Sequence, residues 1–396
     1  MFRTLDDVEV RGKRVLVRVD FNVPVKNGEV VDDTRIRAAL PTIETLLERG
    51  ATLMLMSHLG RPKGAPDEAS RLRPVAGRLA RLLDREVRYQ PTEGPAADAQ
   101  QAFVAEAPHG SVTLLENTRF DARETKNDPA LARVLASYAD VYVNDAFGAA
   151  HRAHASTEAV AHLLPSAAGF LMERELRALA RLVEDPARPF TVVLGGAKVS
   201  DKLGVITKLL ELADRVLVGG AMAYTFVKAR GGHVGASLVE DDMLDTARDV
   251  LRKADARGVR FVLPSDSVCA EAIAPGAATA VHPSDAIPAG LMGLDIGPDA
   301  ANTFAEALEG ARTVFWNGPL GVFETAPFDV GTKAVATAVA NLDAYTVVGG
   351  GDSIAALAAT GLADRIDHLS TGGGASLEFL EGRTLPGVAA LERSSP

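Results

Sequence analysis

Three glycines, an aspartate and a serine stand together in the stretch VVGGGDSIAAL, residues 347–357. Glycines between a strand and a helix let backbone N–H groups approach an anion, and the N-terminus of the helix adds a favourable electric field. The stretch matches neither GxxxxGK(S/T) nor GxGxxG, two nucleotide-binding signatures with a known mechanism. The pattern therefore predicts an anion site without identifying its ligand.

A pair of lysines follows another pair of glycines. Lys198 and Lys202 stand four residues apart in GGAKVSDKLG, and this spacing predicts that both lie on one face of the first turns of a helix. Most lysines are solvated surface residues, but adjacent glycines at the end of a strand favour contact with phosphate. We therefore interpret both lysines as phosphate ligands.

Asp352 directly follows the three glycines and has two interpretations. Aspartate is a good N-cap and would stabilise the start of the following helix. A single carboxylate beside phosphate oxygens and water is also the environment that Mg²⁺ prefers. The two roles are compatible, and the sequence leaves both open.

In the first half of the chain, polar and basic residues follow the segments that are typical of strands. Ligands of open α/β sheets bind beyond the carboxyl ends of the strands. Arginine presents a planar fork that suits carboxylate and phosphate, so four convergent arginines would select a small, doubly anionic molecule. Taken singly, each arginine could equally be a solvated surface residue. The set, here named the arginine cluster, comprises Asp20, Asn22, Arg35, His58, Arg61, Arg119 and Arg152.

In the second half of the chain, the corresponding positions carry glycine and no charge. Glycine permits close approach of the backbone to a ligand. These positions, here named the glycine-rich loops, therefore predict a site for a polyphosphate chain and a flat ring. They are residues 195–196, 219–220, 349–351 and 372–374.

The elements that must position these residues alternate between short apolar runs and longer helical segments. The runs are interpreted as apolar throughout, as expected for strands covered on both faces in a parallel sheet. About ten strands are too many for one compact sheet, so we predict an α/β fold with two doubly wound parallel-sheet domains of similar size and a cleft between them. The runs are RVLVRV (14–19), TLMLMS (52–57), SVTLLE (111–116), DVYVND (140–145), FTVVLGG (190–196), RVLVGG (215–220), RFVLPS (260–265), TVFWNG (313–318), YTVVGGG (345–351) and HLSTGGG (368–374).

The length of the chain and a helical pattern near its middle support two domains. The chain has 396 residues, more than one hydrophobic core usually holds. In residues 169–190, apolar residues recur at helical spacing until prolines at 186 and 189 end the pattern. The pattern also fits an ordinary amphipathic packing helix, but its central position favours a link between domains.

Composition excludes several kinds of protein. The formal net charge of −10 argues against general affinity for nucleic acid or anionic membranes. Cys269 is the only cysteine, which excludes an intrachain disulfide and a multi-cysteine metal site. His151 and His154 have no nearby carboxylate or cysteine set, so they are interpreted as structural. The N-terminal segment lacks a signal-peptide core and no apolar run reaches spanning length, which predicts a soluble protein of the reducing cytoplasm.

With these residues assembled, the sequence resembles the phosphoglycerate kinase family along essentially its whole length. The shared motifs occur in the family's order and approximate spacing, and together they are far more specific than any one alone. They are RVLVRVDFNVP, DDTRI, SHLGRPKG, ENTRF, FGAAHRAHAS, LGGAKVSDKL, WNGPLGVFE, VGGGDS and STGGGASLEFLEG.

The resemblance implies roles for individual residues. The substrate, 3-phosphoglycerate or 1,3-bisphosphoglycerate, would be bound by Asp20, Phe21, Asn22, Arg35, His58, Leu59, Gly60, Arg61, Arg119 and Arg152. The nucleotide, ATP or ADP with Mg²⁺, would be bound by Lys202, by Gly293 near the base, by Glu324 at the ribose, and by Gly350, Gly351, Asp352 and Ser353 near the phosphates, with Asp352 as the metal ligand. The catalytic groups would be Arg35, Lys198, Lys202, Gly350 and Gly351.

The resemblance also implies a domain organisation and a reaction. Residues 1–170 would form the substrate domain, 171–188 the linking helix and hinge, 189–384 the nucleotide domain, and 385–396 a segment returning to the first domain. The reaction would be reversible, direct phosphoryl transfer in glycolysis after domain closure, by a monomer without a nucleic-acid or membrane partner. A different acyl-phosphate kinase would lack the four arginines, and a non-catalytic nucleotide-binding protein would lack Arg35 or the lysines. The sequence retains all of these residues.

Overall fold

The computed structural model describes residues 2–392, which form two compact units. Unit 1 contains the described residues up to Arg177 and those from Thr384 onward, and unit 2 is Ala178–Arg383. Each unit has its own core of buried aliphatic and aromatic side chains.

Unit 1 is built around a six-stranded sheet in which every pair of neighbouring strands is parallel. The strands of the unit are β1 (Arg14–Val19), β2 (Val25–Lys26), β3 (Glu29–Val30), β4 (Thr52–Met56), β5 (Val87–Tyr89), β6 (Val112–Leu114), β7 (Val141–Asp145) and β8 (Ser166–Ala168). Its helices are α1 (Thr34–Glu48), α2 (Arg73–Leu83), α3 (Asp98–Ala105), α4 (Pro129–Ala136) and the start of α5 (Phe170–Val183). The sheet order is β5-β6-β4-β1-β7-β8, and β2 and β3 form a separate antiparallel pair.

Unit 2 contains a second six-stranded parallel sheet. Its strands are β9 (Phe190–Leu194), β10 (Arg215–Val218), β11 (His233–Val234), β12 (Arg260–Val262), β13 (Asp266–Ala270), β14 (Ala280–Pro283), β15 (Ala286–Ile287), β16 (Met292–Ile296), β17 (Thr313–Asn317), β18 (Tyr345–Gly349) and β19 (His368–Ser370). Its helices are α6 (Leu203–Leu209), α7 (Met222–Ala229), α8 (Leu244–Ala256), α9 (Pro298–Leu308), α10 (Val330–Ala340), α11 (Gly351–Ala358) and α12 (Gly374–Leu380). A last helix, α13 (Pro386–Ala389), belongs to unit 1.

The strand order of unit 2 predicts where a ligand would bind. The parallel sheet runs β12-β10-β9-β17-β18-β19, while β14, β13 and β16 form a smaller antiparallel sheet. Along the chain, strands are added on one side of β9 and then, from β17, on the other. In such doubly wound sheets, ligands bind at the carboxyl ends of the strands where the order reverses. Here those ends lead into Gly195 and Gly318.

Every one of the ten apolar runs contains a strand, and the predicted α/β fold with two parallel sheets is confirmed. The interior strands β4, β7, β9 and β17 are buried along their whole length, as strands covered on both faces must be. One detail of the prediction is wrong: β1 is not apolar throughout, because Arg18 lies within it and its side chain is buried.

Helix α5 is the predicted central helix, and the boundary between the two units falls within it. Its apolar side is buried at Leu176, Leu179 and Leu182. At its start, the backbone N–H groups of Leu171 and Met172 donate to Asp145 Oδ1, at 2.8 and 3.2 Å. The helix is therefore fixed in unit 1 by the last residue of β7.

The segment that contains α13 is hydrogen-bonded to the N-terminal part of unit 1. The Gly387 N–H donates to the Ala150 carbonyl at 2.9 Å, and the Arg3 N–H donates to the Leu391 carbonyl at 3.1 Å. A Cβ atom at Gly387 would lie 3.0 Å from Ala150 Cα, so a glycine allows this close approach. Unit 1 thus combines residues from both ends of the sequence.

The helices of the described region are too short or too polar to cross a lipid bilayer, so residues 2–392 contain no candidate membrane-spanning helix.

Candidate active site

The arginine cluster lies at the carboxyl ends of neighbouring strands in unit 1. Asp20 directly follows β1, and His58 comes two residues after β4. Arg152 lies in the segment after β7, while Arg35 is in the first turn of α1. Because β4, β1 and β7 are adjacent and parallel, their carboxyl ends come together at one edge of the sheet.

Hydrogen bonds hold the loop after β4 between two members of the cluster. Asn22 Oδ1 accepts from the Gly60 N–H at 2.9 Å, and Arg119 Nη1 donates to the Gly60 carbonyl at 2.8 Å. Gly60 has a φ of +65°, in the left-handed region that favours glycine. Two further members of the cluster form an ion pair, in which Arg35 Nη1 lies 2.6 Å from Asp20 Oδ2. The cluster is thus partly fixed before any ligand binds.

The positive charges of the cluster lie close enough to affect one another. Burial lowers the pKa of Arg119, and the neighbouring Arg152, Arg18 and Arg61 lower it further. The Nε of Arg119 is buried and has no hydrogen-bond partner among residues 2–392. A bound dianion would supply both the missing negative charge and hydrogen-bond acceptors.

Two residues predicted to bind the substrate have buried side chains. Phe21 and Leu59 are buried in the core of unit 1. The Phe21 N–H donates to Ser57 Oγ at 2.9 Å, and the Leu59 carbonyl accepts from Asn117 Nδ2 at 2.8 Å. Their side chains therefore belong to the core, and their backbone groups form hydrogen bonds that hold the loops.

Two residues that support the cluster were missed by the sequence analysis. Asn117 is fully buried; its Nδ2 donates to the carbonyls of Leu59 and Ser70, both at 2.8 Å, and its Oδ1 accepts from the Arg119 N–H at 3.0 Å. Arg18 is 1% exposed and contacts His58. The sequence contains a signal for Arg18, since an arginine in an otherwise apolar strand must be buried with partners.

The histidines of HRAHAS do not form a metal site with their neighbours. His154 is buried, with Nδ1 4.0 Å from Glu124 Oε1. Burial and the nearby Arg18 lower the pKa of His154 to about 4. Within residues 2–392, no group of three or more His, Cys, Asp or Glu is arranged to hold a metal ion.

In unit 2, the glycine-rich loop after β9 packs closely against the segment that follows β17. The Gly195 N–H donates to the Asn317 carbonyl, and the Gly196 N–H donates to the Pro319 carbonyl, both at 2.9 Å. A Cβ at Gly195 would lie 2.0 Å from Pro319 O, so no other residue fits there. Because glycine has no side chain, the surface formed here consists largely of backbone atoms.

A cavity of about 340 Å³ opens beside these loops. Gly293, Glu324 and Asp352 line it, together with the exposed apolar side chains of Leu238 and Ile273. An apolar wall with a few polar groups is the usual character of a site for a flat organic ligand. The other predicted nucleotide residues, Lys202, Gly350, Gly351 and Ser353, do not line the cavity.

The glycine loop after β18 leads into α11, and one interpretation of Asp352 is wrong. The N-cap is Gly350, with a φ of +92°, and Asp352 is an exposed residue inside the first turn. The Asp352 carboxylate makes no capping bond and is available to a ligand. Ser353 is buried, and its Oγ accepts from the Gly318 N–H at 2.6 Å, so its hydroxyl joins two loops.

The prediction that Lys198 and Lys202 share a helix face is also wrong. Helix α6 begins at Leu203, after both lysines. The preceding segment forms a turn instead, because the Glu240 carboxylate accepts from the N–H groups of Val199 and Ser200 at 2.6 and 3.1 Å. Lys198 is exposed.

Lys202 is less exposed than Lys198 and is hydrogen-bonded within unit 2. Its Nζ donates to Oδ1 of the buried Asn317, whose Nδ2 donates to the Gly349 carbonyl at 2.9 Å. Burial lowers the pKa of Lys202 to about 8. Asn317, a polar residue at the end of a buried strand, was also missed by the sequence analysis. It connects the lysine to the glycine loop after β18.

The chain matches known proteins along almost its whole length. The sequence model of phosphoglycerate kinase matches residues 5–383. A phosphoglycerate kinase of Thermus thermophilus is 59% identical over 391 residues, covering 98% of this chain and 100% of the relative. That of Roseiflexus sp. is 57% identical over 389 residues and covers 98% of each chain.

Solved structures agree with this match. The phosphoglycerate kinase of Coxiella burnetii has a TM-score of 0.88 at 40% identity, covering 99% of this chain and 98% of the other. That of Pyrococcus horikoshii has a TM-score of 0.86 at 34% identity with the same coverage. Since sequence and structure agree along both units and include both sites, this chain belongs to the phosphoglycerate kinase family.

Proposed function

We propose that this protein transfers a phosphoryl group reversibly between 1,3-bisphosphoglycerate and ADP, giving 3-phosphoglycerate and ATP in glycolysis. The observation that carries the proposal is the pair of complementary sites, an arginine cluster in unit 1 and a glycine-lined cavity beside Lys202 in unit 2. Phosphoryl transfer asks a protein mainly for positioning and for positive groups around the moving phosphoryl. These two sites offer both.

In unit 1, the arginine cluster would bind the acid substrate. Arg61, Arg119 and Arg152 would hold the phosphate, since they lie near one another and Arg119 has an unpartnered Nε. Asp20, Asn22 and His58 would position the rest of the molecule. Arg35, half-exposed and ion-paired with Asp20, would reach the phosphoryl group that moves.

In unit 2, the nucleotide would lie in the cavity. Gly293 would contact the base and Glu324 the ribose, because both line the cavity wall. The phosphates would meet the backbone from Gly350 to Ser353 and the Lys202 ammonium, which are joined through Asn317. Lys198 would approach the moving phosphoryl from its exposed turn.

Asp352 is suited to hold Mg²⁺ together with the phosphates. Its carboxylate is exposed, lines the cavity and lies near Lys202. Mg²⁺ typically takes one or two carboxylates with substrate phosphates and water, and needs no cage of protein ligands. When bound, the ion would neutralise phosphate charge.

A coupled assay with 3-phosphoglycerate and MgATP tests the proposed function. We expect turnover with 3-phosphoglycerate and none with acetate or carbamate, because these acids lack the phosphate that the arginines would bind. Turnover with a simple acid alone would favour a different acyl-phosphate kinase. Binding of nucleotide without turnover would indicate a regulatory protein.

We expect the transfer to be direct, with inversion of configuration at phosphorus. Asp20 is paired with Arg35, His58 with Arg18, and Ser353 Oγ accepts from a backbone N–H, so none of these is paired with a base that would make it a nucleophile. The measurement is the stereochemical outcome with a chiral phosphoryl donor. Net retention would show that a phosphorylated enzyme takes part.

We expect the radius of gyration to decrease when both ligands bind. The two sites belong to different units, and transfer requires reacting atoms within about 3–3.5 Å of each other. Closure also excludes water that would compete for the phosphoryl group. Small-angle scattering of the free protein, each binary complex and the ternary complex would measure this. A radius that does not change in the ternary complex would contradict closure.

We also infer that the protein works as a cytoplasmic monomer. Each proposed site is made entirely of residues from one unit of one chain, so a second copy is not needed to complete either. Sedimentation at working concentrations tests the oligomeric state.

A further inference from the structure

Arg18 is buried directly beside His58. Its guanidinium Nη2 lies 3.1 Å from His58 Nδ1, and its Nε donates to Ser156 Oγ at 2.9 Å. Arg18 is 1% exposed and His58 7% exposed. A buried arginine needs such partners, and here one of them is a ring nitrogen of a proposed substrate ligand.

The contact determines where the proton of His58 lies. A guanidinium stays protonated in proteins and has only donors. The nitrogen that faces it must therefore be an acceptor, so His58 Nδ1 carries no proton. In a neutral imidazole, the proton is then on Nε2, and His58 Nε2 has no hydrogen-bond partner among residues 2–392.

We propose that Arg18 is a positioning residue that holds His58 in the neutral tautomer with its proton on Nε2, so that His58 gives an anionic substrate a hydrogen-bond donor and no charge. The identity of that substrate rests on the proposed function. The tautomer itself does not.

The surroundings of Arg18 keep its guanidinium in place. Ser156 Oγ donates to Glu124 Oε1 at 2.5 Å, and the Ser156 N–H donates to Glu124 Oε2 at 3.0 Å. Ser156 thus connects the Arg18 Nε to the negatively charged carboxylate of Glu124. The Nη2 group of Arg18 is the one that contacts His58.

The charges that face His58 also oppose its protonation. Burial lowers its pKa well below the ordinary value, and Arg18, Arg119, Arg35 and His154 lower it further. The three arginines are positively charged, and His154 becomes positively charged when it is protonated; none of the four is a carboxylate. His58 therefore stays neutral through the physiological pH range, and Arg18 selects which neutral form is present.

Nitrogen NMR of the unaltered protein tests this proposal directly. The protein is labelled with ¹⁵N-histidine, and the two ring nitrogens of His58 are assigned by their loss in His58→Gln. We expect an unprotonated Nδ1 and a protonated Nε2 at every pH from about 6 to about 8, where a free histidine would titrate. A protonated Nδ1, or an imidazolium in this range, would overturn the proposal whether or not the enzyme is active.

A double-mutant cycle separates the tautomer from the charge of Arg18. Arg18→Met should raise KM for 3-phosphoglycerate by about tenfold or more when His58 is present, as loss of a hydrogen bond to a charged group does. The same change should have an effect of less than about threefold in a His58→Ala background, because Arg18 acts through His58. An equal effect in both backgrounds would show that Arg18 acts by its charge alone.

A second pair of variants changes only His58 and keeps Arg18, Ser156 and Glu124 in the chain. The amide nitrogen of Gln reaches the position of Nε2, whereas that of Asn reaches only the position of Nδ1. His58→Gln should therefore keep KM for 3-phosphoglycerate several-fold lower than His58→Asn does. The reverse order would contradict a donor at Nε2.

Discussion

Arg35→Ala is expected to lower kcat by at least ~10³, the range for charge-stabilising arginines in phosphoryl transfer, while the protein stays folded. Arg35 is expected to contact the phosphoryl group as its charge redistributes, an interaction stronger in the transition state than in the ground state. The fold should survive because the Arg35 side chain is 37% exposed and pairs with Asp20, which is not part of the hydrophobic core.

Two other arginines provide the controls. Arg37 lies on the same helix, is 55% exposed and pairs with Asp33, so Arg37→Ala should leave kcat unchanged. Arg119→Ala should chiefly raise KM for 3-phosphoglycerate, because it removes binding that is equal in ground and transition states. The measurement is kcat and KM for 3-phosphoglycerate in each of the three variants. If Arg35→Ala changed only KM, its assigned role would be wrong.

Lys202→Met is expected to lower kcat by roughly 10²–10³, the usual effect of removing one preorganised donor from a developing charge. A hydrogen bond to Asn317 holds the Lys202 ammonium next to the glycine loop after β18. The positive charge is therefore already in position before the nucleotide binds. Lys208→Met is the matched control, since Lys208 lies on α6, is 39% exposed and pairs with Glu211. It should behave as the unaltered enzyme.

The same lysine predicts a pH dependence. Burial lowers the pKa of Lys202 to about 8, so its positive charge is present below that pH and lost above it. The value of kcat/KM for the nucleotide should therefore fall as pH rises through about 8, because this profile reports groups of the free enzyme. The step should disappear in Lys202→Met. A step that persists unchanged in the variant would have to come from another group.

Much of the fold could be predicted because the interior strands of a parallel sheet are buried on both faces and therefore consist mainly of apolar residues. The strands that the sequence analysis missed lack this signal. At the edges of the first sheet, β5 is half-buried and contains Arg88, and β8 consists of Ser166, Ala167 and Ala168. Small residues can be fully buried in a sheet without forming a recognisable hydrophobic run, so only the neighbouring strand β7 identifies β8.

The residues proposed to bind the substrates could be identified from the sequence. The residues that hold them in position could not. Arg119 and Asp352 belong to short motifs with a chemical meaning. Asn117 and Asn317 act by joining loops that are distant in sequence, and a single sequence does not show such contacts. The start of α6 was misplaced for the same reason, since Glu240 holds the turn before it from forty residues away.

The hydrogen bond between Gly387 and Ala150 has a consequence for the order in which the protein is made. A ribosome produces Ala150, and the loop that carries Arg152, long before Gly387. The whole of unit 2 is synthesised in between. The loop of Arg152 therefore acquires this packing partner only after unit 2 has been synthesised. A nascent chain can form the first sheet early, yet it cannot complete the arginine cluster's support until residue 387 has left the ribosome.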